Sequence, residues 1–196
     1  MAEPLIARWE WRTFGTAFGA LEDRIKDFPQ DRARKSSEVY ILSRRSDANT
    51  KIRDELMDVK ILKQVNEHKL EQWFPVMKES FPIGRGVLER LFDYWQLPMP
   101  EFGKDSYSHA EYMEQVIATA ADLKSVRVDK HRYGYTVDTC IVEIADLSFD
   151  GTPIRTAAVE AADPEGVRAV VERLGLGRFE NINYVRALKR HAGFAE

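Results

Sequence analysis

The sequence predicts an α+β protein, an antiparallel β-barrel of about eight strands covered by helices. Strand-length segments alternate charged with apolar residues, and several other segments carry one apolar face at helical spacing. The 196 residues are 44% hydrophobic, which is enough for one domain with a sizeable core. We therefore expect residues 1–196 to form a single domain. Its two halves each run strand, helix, strands.

The first predicted strand is "LIARWEWRTF", residues 5–14. Alternation along a strand places charged side chains on one face, Arg8, Glu10 and Arg12, and two tryptophans on the other, Trp9 and Trp11. The tryptophan face needs a covering layer. The charged face either meets water or lines an interior that accepts charge.

The rest of the first half reads as one helix and several strands. Residues 16–28 have apolar positions at helical spacing, and Pro29 ends that helix. Residues 36–65 resemble an antiparallel meander of three strands. Residues 70–77 add a further strand, in which Pro75 disfavours a central position in the sheet.

The middle of the chain is predicted to be helical. Residues 83–96 have the apolar spacing of a packed helix. After a loop, Ser108 and Glu111 have the spacing of a capping box and predict a helix over 110–121.

The last third predicts three strands and two helices. The strands are joined around a turn at Asp150 and Gly151 and cover 124–137, 139–149 and 153–162. Pro164 opens a helix that Gly175 ends, and residues 180–191 form the final helix.

Composition excludes several classes of function. The net charge of −3 gives no overall field for attracting nucleic acid, so we expect a nucleic-acid partner to be unlikely. Cys140 is the only cysteine, and the four histidines lack metal-binding spacing. The sequence shows neither a secretory signal pattern nor an apolar run of membrane-spanning length. We therefore expect a cytoplasmic protein without membrane association.

Charged residues two positions apart recur on the predicted strands. They are Lys51 and Arg53, Asp58 and Lys60, and Lys130 and Arg132, besides the charges of the first strand. A solvated outer face explains any single pair. As a set, together with helices that cover the apolar faces, they favour a closed barrel with a charged interior. Such an interior must be wet or hold a polyanion with metal.

Several motifs resemble the CYTH family, the triphosphate tunnel metalloenzymes. "RWEWR" is similar to the family's E-x-E-x-K signature, and "TKIRD" with "LMDVKIL" to its L-R-I-R and L-T-x-K strands. The segment from "VDKHRYGYTV" to "VVERLGL" resembles its K-x-R strand, acidic strand, E-x-E strand and helix, and "NYVRALKR" its closing S-Y-x-x-L helix. The resemblance covers about two thirds of the chain and implies a triphosphate tunnel that binds a divalent cation, Mg²⁺ or Mn²⁺.

The resemblance also implies roles for individual residues. Glu10, Arg12 and Lys60 are expected to be catalytic, and metal ligands are expected at Glu10, Glu143 and Glu160. The expected substrate-binding residues are basic: Arg8, Lys51, Arg53, Lys130 and Arg132. Two positions depart from the family pattern, because Arg8 replaces the first Glu of the signature and Ala158 the first Glu of the E-x-E strand.

The expected function is binding and metal-dependent hydrolysis of inorganic, nucleoside or thiamine triphosphate, or of polyphosphate. A catalytically impaired binding module and a class IV adenylate cyclase are the alternatives, and an adaptor that uses the outer helices is a third. The segment 97–121 is longer than the family pattern and is expected to be an insertion. The sequence leaves the oligomeric state open, a homodimer included.

Overall fold

The structure is a computed structural model that describes residues 7–194. In chain order its elements are β1 (Arg8–Gly15), α1 (Ala20–Lys26), β2 (Gln30–Ser43), β3 (Asn49–Arg53), β4 (Leu56–Val65), β5 (Glu71–Ser80), β6 (Ile83–Gly84), α2 (Arg85–Trp95), β7 (Ser106–Tyr107), α3 (His109–Glu111), a π-helical segment (Tyr112–Ile117), β8 (Leu123–Val137), β9 (Cys140–Phe149), β10 (Thr152–Ala161), α4 (Pro164–Leu174), a 3₁₀ turn (Leu176–Arg178) and α5 (Tyr184–His191). Eight strands close an antiparallel barrel in the order β1-β10-β9-β8-β2-β3-β4-β5. The predicted α+β barrel is confirmed; Leu5 and Ile6, where the first strand was expected to begin, lie outside the described residues.

Closure of the barrel depends on a short contact between β1 and β5. These strands pair only at Arg8–Glu10 with Glu71–Trp73. Beyond that point the segment before α5 takes the place of β5. The amide of Ile182 donates to the carbonyl of Arg12 at 2.8 Å, and the amide of Arg12 donates to Asn181 Oδ1 at 3.1 Å. The C-terminal segment therefore enters the barrel between β1 and β5.

The expectation that Pro75 disfavours a central strand position was wrong. β5 lies between β4 and β1, inside the closed sheet. Two features accommodate the missing N–H of Pro75: the register shifts where it opposes Lys60, and the pairing with β1 ends at Trp73.

Strand β2 is longer than predicted, because its first half, residues 30–36, was not recognised. That half is polar and mostly exposed, so it lacks the alternation that marks a half-buried strand. It is ordered by pairing with β8, from Gln30 opposite Tyr135 to Ser43 opposite Leu123.

Two helical layers cover the outside of the barrel. Residues of α1 and α4, including Leu21, Ile25 and Val167, pack on the outward side chains of β1, β9 and β10, including Trp9 and Trp11. A second cluster joins α2 and the π-helical segment to β2, β3, β4 and β5. The tryptophan face of β1 is therefore covered, as predicted, and the charged face is left to the interior.

The other helices cover the outside of the barrel, whereas helix α5 packs on the inner face of the strands. Its Tyr184, Val185 and Leu188 pack with interior residues of β2, β8 and β9, for example Leu42 and Phe149. This apolar cluster fills one part of the barrel interior. The barrel is therefore closed at one end by its own C-terminal segment.

The segment 97–121 contains more structure than a loop and a helix. Its short strand β7 pairs with β6, at Ile83 opposite Tyr107, which was not predicted. The capping box of Ser108 and Glu111 is present, but the helix it starts becomes π-helical at Tyr112. Whether the segment is an insertion stays a prediction.

Among residues 7–194, none of the helices combines the length and the apolar character that crossing a bilayer requires.

Candidate active site inside the barrel

The part of the barrel interior that α5 leaves unfilled is a charged cavity of about 220 Å³. Nine of the ten residues predicted for the site line it: Arg8, Glu10, Arg12, Lys51, Lys60, Lys130, Arg132, Glu143 and Glu160. The tenth, Arg53, does not; its guanidinium donates to Glu38 at 3.3 Å. These nine charged residues lie on six barrel strands, β1, β3, β4, β8, β9 and β10. They converge because one face of every strand points into the barrel.

Arg12 is the most highly connected side chain of the cavity wall. Its Nε and Nη2 donate to the two carboxylate oxygens of Glu10 at 3.0 and 3.1 Å, a bidentate pair. Nη1 donates to Thr156 at 3.2 Å and to Glu143 at 3.4 Å. Burial opposes ionisation of Glu10, but the Arg12 guanidinium outweighs it and holds the Glu10 pKa below its usual value. The pair is therefore charged and rigidly oriented.

Ala158 explains how Arg12 reaches across the sheet. In the register of the three neighbouring strands, Ala158 lies opposite Arg12 on one side and opposite Glu143 on the other. A methyl side chain at this point leaves room for the guanidinium to pass over it to Glu143. At Ala158, where the E-x-E pattern has its first Glu, the space above the small side chain is thus occupied by the side chain of Arg12.

Arg8, the second departure from the family pattern, also contacts a carboxylate. Its Nη1 donates to Glu160 at 3.0 Å, and about half of its side chain is exposed. Glu160 lies opposite Glu10 in the register of β10 and β1. Arg8 therefore neutralises a carboxylate that lies directly opposite Glu10 in register.

Lys130 lies deeper, in a buried group with Glu38 and Tyr40. Its Nζ is 2.7 Å from Glu38 Oε2 and donates to the Tyr40 hydroxyl at 2.7 Å. Burial lowers the pKa of Lys130 to about 7, although Glu38 acts in the opposite direction. Burial also opposes ionisation of Glu38, but Lys130 and Lys51 outweigh it and bring its pKa to about 2. An anion in the cavity would favour the charged form of Lys130.

The wall formed by β3 and β4 contributes two more lysines. Lys51 Nζ is 3.8 Å from Asp58 Oδ2, and burial lowers its pKa. Lys60 lines the cavity and makes no ion pair within 4 Å among residues 7–194. Lys60 is therefore a cation of the cavity that no carboxylate of the described chain compensates at short range.

Sequence reasoning missed several residues of the site. Glu38 and Tyr40 alternate on one face of β2, so the period-two pattern that located Lys51 and Arg53 could also have found them. Asn49 lines the cavity from the first position of β3. Tyr184 reaches the cavity from α5, and no strand periodicity could indicate that.

Glu71 is a further carboxylate beside the site, and it is partly buried. It lies opposite Glu10 across the β1–β5 pair and accepts from Asn183 at 3.0 Å and from Trp73 Nε1 at 3.2 Å. Burial raises its pKa above the usual value. Asn183 also caps α5, because its side-chain oxygen accepts from the backbone amide of Arg186. The Asn183 side chain therefore connects the helix to the wall of the cavity.

The carboxylates of the cavity fit a divalent cation only together with oxygen atoms of a ligand. Glu10 and Glu160 are neighbours in register, and two carboxylates plus substrate phosphates are a common environment of Mg²⁺. Each is, however, bonded to an arginine, as is Glu143. Within residues 7–194, no three histidine, cysteine or acidic side chains are grouped so as to hold a metal ion. The metal-ligand role of the three glutamates stays a prediction.

Comparisons with known proteins identify the fold. No protein-family model and no curated protein sequence matches the chain. Solved structures do match it. A Bacillus halodurans protein provisionally assigned as an adenylate cyclase is 9% identical with a TM-score of 0.50, over 91% of this chain and 96% of that one. A Hippeastrum protein, provisionally assigned as an adenylyl cyclase and described as having a dominant triphosphatase activity, is 10% identical with a TM-score of 0.50, over 94% and 96%.

A conserved Pyrococcus furiosus protein of hypothetical function is 12% identical with a TM-score of 0.50, over 90% of this chain and 98% of that one. These matches extend over at least nine-tenths of each chain, so the shared feature is the fold as a whole. The chain has the fold of the CYTH, or triphosphate tunnel, proteins, as its sequence motifs indicated. At these identities the comparisons establish the fold.

Proposed function

We propose that the protein binds the triphosphate chain of a small molecule in the barrel cavity and hydrolyses it with a divalent cation. The observation that supports this most directly is the convergence of six basic side chains on one cavity: Arg8, Arg12, Lys51, Lys60, Lys130 and Arg132. They come from four strands and surround a space of about 220 Å³. Phosphoryl transfer depends mainly on positioning and on charge stabilisation, which such a cavity supplies.

The charge balance of the cavity supports an anionic ligand with a cation. Four acidic side chains also line it, Glu10, Asp58, Glu143 and Glu160, so basic residues exceed acidic ones by two. A triphosphate chain carries more negative charge than this excess. A bound Mg²⁺ or Mn²⁺ would supply the missing positive charge, polarise the transferring phosphoryl group and lower the pKa of a bound water. Glu10 and Glu160, with substrate oxygens, are the residues proposed to hold it.

The remaining residues of the proposed site act on the phosphate chain. Arg8 and Arg132 lie at the more exposed part of the cavity and are placed to bind phosphate oxygens there. Arg12 and Lys60 are placed to compensate the charge that develops when a water oxygen attacks the terminal phosphorus and the bridging P–O bond breaks. Glu143, bonded to both Arg12 and Arg132, orients these two guanidinium groups.

A second function has a specific observation in its favour. Arg8 occupies the first position that departs from the family pattern, and the Arg12 side chain occupies the space beside the second, Ala158. Together these two arginines donate hydrogen bonds to all three expected metal ligands, Glu10, Glu143 and Glu160. A guanidinium supplies fixed charge and bidentate donors but cannot activate a water as a metal ion does. A metal-independent binding protein for triphosphates is therefore the alternative to a hydrolase.

Two measurements on the purified protein test the proposal. Calorimetric titration measures binding of tripolyphosphate, ATP and thiamine triphosphate, and release of phosphate and pyrophosphate measures hydrolysis, each with EDTA, Mg²⁺ or Mn²⁺. Hydrolysis that requires the metal supports the proposal. Tight binding in EDTA without hydrolysis under any condition supports the binding protein instead. Absence of binding contradicts both.

A matched pair of variants locates the binding to the cavity. Arg132 and Arg127 lie on the same strand, but Arg127 is exposed outside the cavity and pairs with Asp129. Arg132→Met is expected to weaken tripolyphosphate binding, whereas Arg127→Met is expected to leave it unchanged. Equal losses in the two variants would indicate general attraction of the anion to the surface.

A further inference from the structure

Tyr184 forms part of the closed end of the cavity. Its ring stacks on Tyr40 with centroids 5.1 Å apart and an interplanar angle of 3°, and it meets Phe14 edge-on at 5.1 Å. The side chain is 7% exposed and lines the cavity. Behind it, Val185, Leu188 and other apolar residues fill the barrel. Packing on both sides therefore fixes the ring in one orientation.

The Tyr184 hydroxyl is buried and has no hydrogen-bond partner among residues 7–194. The adjacent Tyr40 provides a contrast, because its hydroxyl donates to Glu38 at 3.1 Å and accepts from Lys130 at 2.7 Å. Buried hydroxyl groups in proteins nearly always have a partner, since leaving one unpaired costs free energy. One of two stacked tyrosines is thus fully bonded, while the other, whose side chain also lines the cavity, has a hydroxyl donor without a partner among residues 7–194.

The surroundings of Tyr184 are those of an anion site. The Lys130 ammonium lies 4.3 Å from its ring centroid and the Arg12 guanidinium carbon 5.1 Å. Burial raises the pKa of Tyr184 well above its usual value. The hydroxyl therefore keeps its proton at neutral pH and acts as a donor rather than as a repelling phenolate.

We propose that the Tyr184 hydroxyl donates a hydrogen bond to an oxygen of the terminal phosphate of a linear phosphate chain, at the closed end of the cavity. This inference rests on the proposed function. Helix α5 and its apolar cluster block the barrel behind Tyr184. A phosphate chain therefore enters the cavity with one of its own ends first and cannot pass through to the other side. The ligand class is therefore a linear chain with a free terminal phosphate, and a cyclic phosphate lacks the group that Tyr184 binds.

The test compares Tyr184→Phe with Tyr112→Phe. Tyr112 is a matched control, because its hydroxyl is also buried without a partner but lies in the outer cluster with the π-helical segment. Neither variant is expected to lower the melting temperature, since each removes only an unpaired hydroxyl. Tyr184→Phe is expected to weaken linear tripolyphosphate binding about tenfold in calorimetry. Tyr112→Phe is expected to leave it unchanged, and cyclic trimetaphosphate should bind the wild type and Tyr184→Phe equally.

The outcomes separate this inference from the proposed function. If the wild type binds tripolyphosphate and Tyr184→Phe binds it with the same affinity, the inference is overturned and the proposed function stands. If Tyr184→Phe weakens the linear and the cyclic phosphate equally, the terminal-phosphate assignment is overturned. If the wild type binds no tripolyphosphate, both proposals fail.

Discussion

Substitution of Arg8 by Glu tests whether a guanidinium has taken over the work of a metal ion at this position. The change restores the acidic residue of the family signature and places a carboxylate beside Glu160. It is not expected to disturb folding much, because the Arg8–Glu160 pair is partly exposed and such pairs contribute about 0.2–1 kcal/mol. Its effect should therefore appear in ligand binding.

The expected magnitude follows from the exposure of Arg8. A hydrogen bond to a charged group contributes about 1.5–3 kcal/mol, and an arginine that is 48% exposed takes the lower end of that range. Repulsion between the introduced carboxylate and a phosphate adds about 1 kcal/mol, the value for unit charges about 4 Å apart in bulk water, because this position is well exposed. The sum of about 2.5 kcal/mol corresponds to a dissociation constant roughly 60-fold higher in EDTA. With Mg²⁺ the loss should be smaller, because the introduced carboxylate offers the ion a further ligand.

The assay is calorimetric titration of tripolyphosphate in EDTA and in Mg²⁺. Arg90→Glu is the control, because Arg90 is also 48% exposed and pairs with one carboxylate, Glu79, away from the cavity. Affinities in EDTA that are equal for wild type and Arg8→Glu would refute the reasoning and return Arg8 to the solvent-exposed surface. An equal loss in Arg90→Glu would refute it as well, because the effect would then be one of net charge.

Three further predictions concern the interior of the site. Glu10→Gln and Glu160→Gln should abolish metal-dependent phosphate release while the melting temperature is kept within a few degrees; unchanged Mn²⁺ dependence in both would place the ion elsewhere. Because burial brings the Lys130 pKa to about 7 and a bound anion raises it, binding above pH 7 requires proton uptake, so the dissociation constant should rise by up to tenfold per pH unit. Lys130→Arg, which stays charged, should remove that part of the pH dependence, and calorimetry from pH 6 to 9 would show identical profiles if Lys130 were not involved. Since the Glu38 pKa is lowered to about 2, the stabilisation that ionised Glu38 contributes is complete above about pH 4.5 and is lost as pH falls toward 2. The free energies of unfolding of wild type and Glu38→Gln, measured in urea between pH 2 and 7, should therefore converge at the acid end. Parallel pH curves for the two proteins would contradict this assignment.

The strand faces of the site could be read from the sequence because alternation in a β-strand is a local property. Arg8, Glu10 and Arg12 share a face whatever the rest of the chain does, and Trp9 and Trp11 share the other. The same rule placed Lys51 and Lys130 toward the interior once closure of the sheet was assumed. These residues line the cavity, while their roles in binding or catalysis stay predictions.

Local patterns could not determine where residues of different elements meet. The first half of β2 has no alternation of burial and is ordered only by its pairing with β8. Pro75 is tolerated in a central strand because the register shifts there and the pairing with β1 has already ended. Both facts depend on neighbours that are distant in sequence.

The sequence by itself determined the charged and apolar faces of the strands, most helix positions and the turn at Asp150 and Gly151, since each follows from periodicity or capping within a short segment. Only the tertiary structure decided what the charged side chains contact. It paired Glu143 with Arg12 and Glu160 with Arg8, and it brought Tyr184 on a C-terminal helix into the closed end of the barrel. The physical reason is that the energies of ion pairs and buried hydroxyl groups depend on distance and burial between distant segments, and neither is encoded in local spacing.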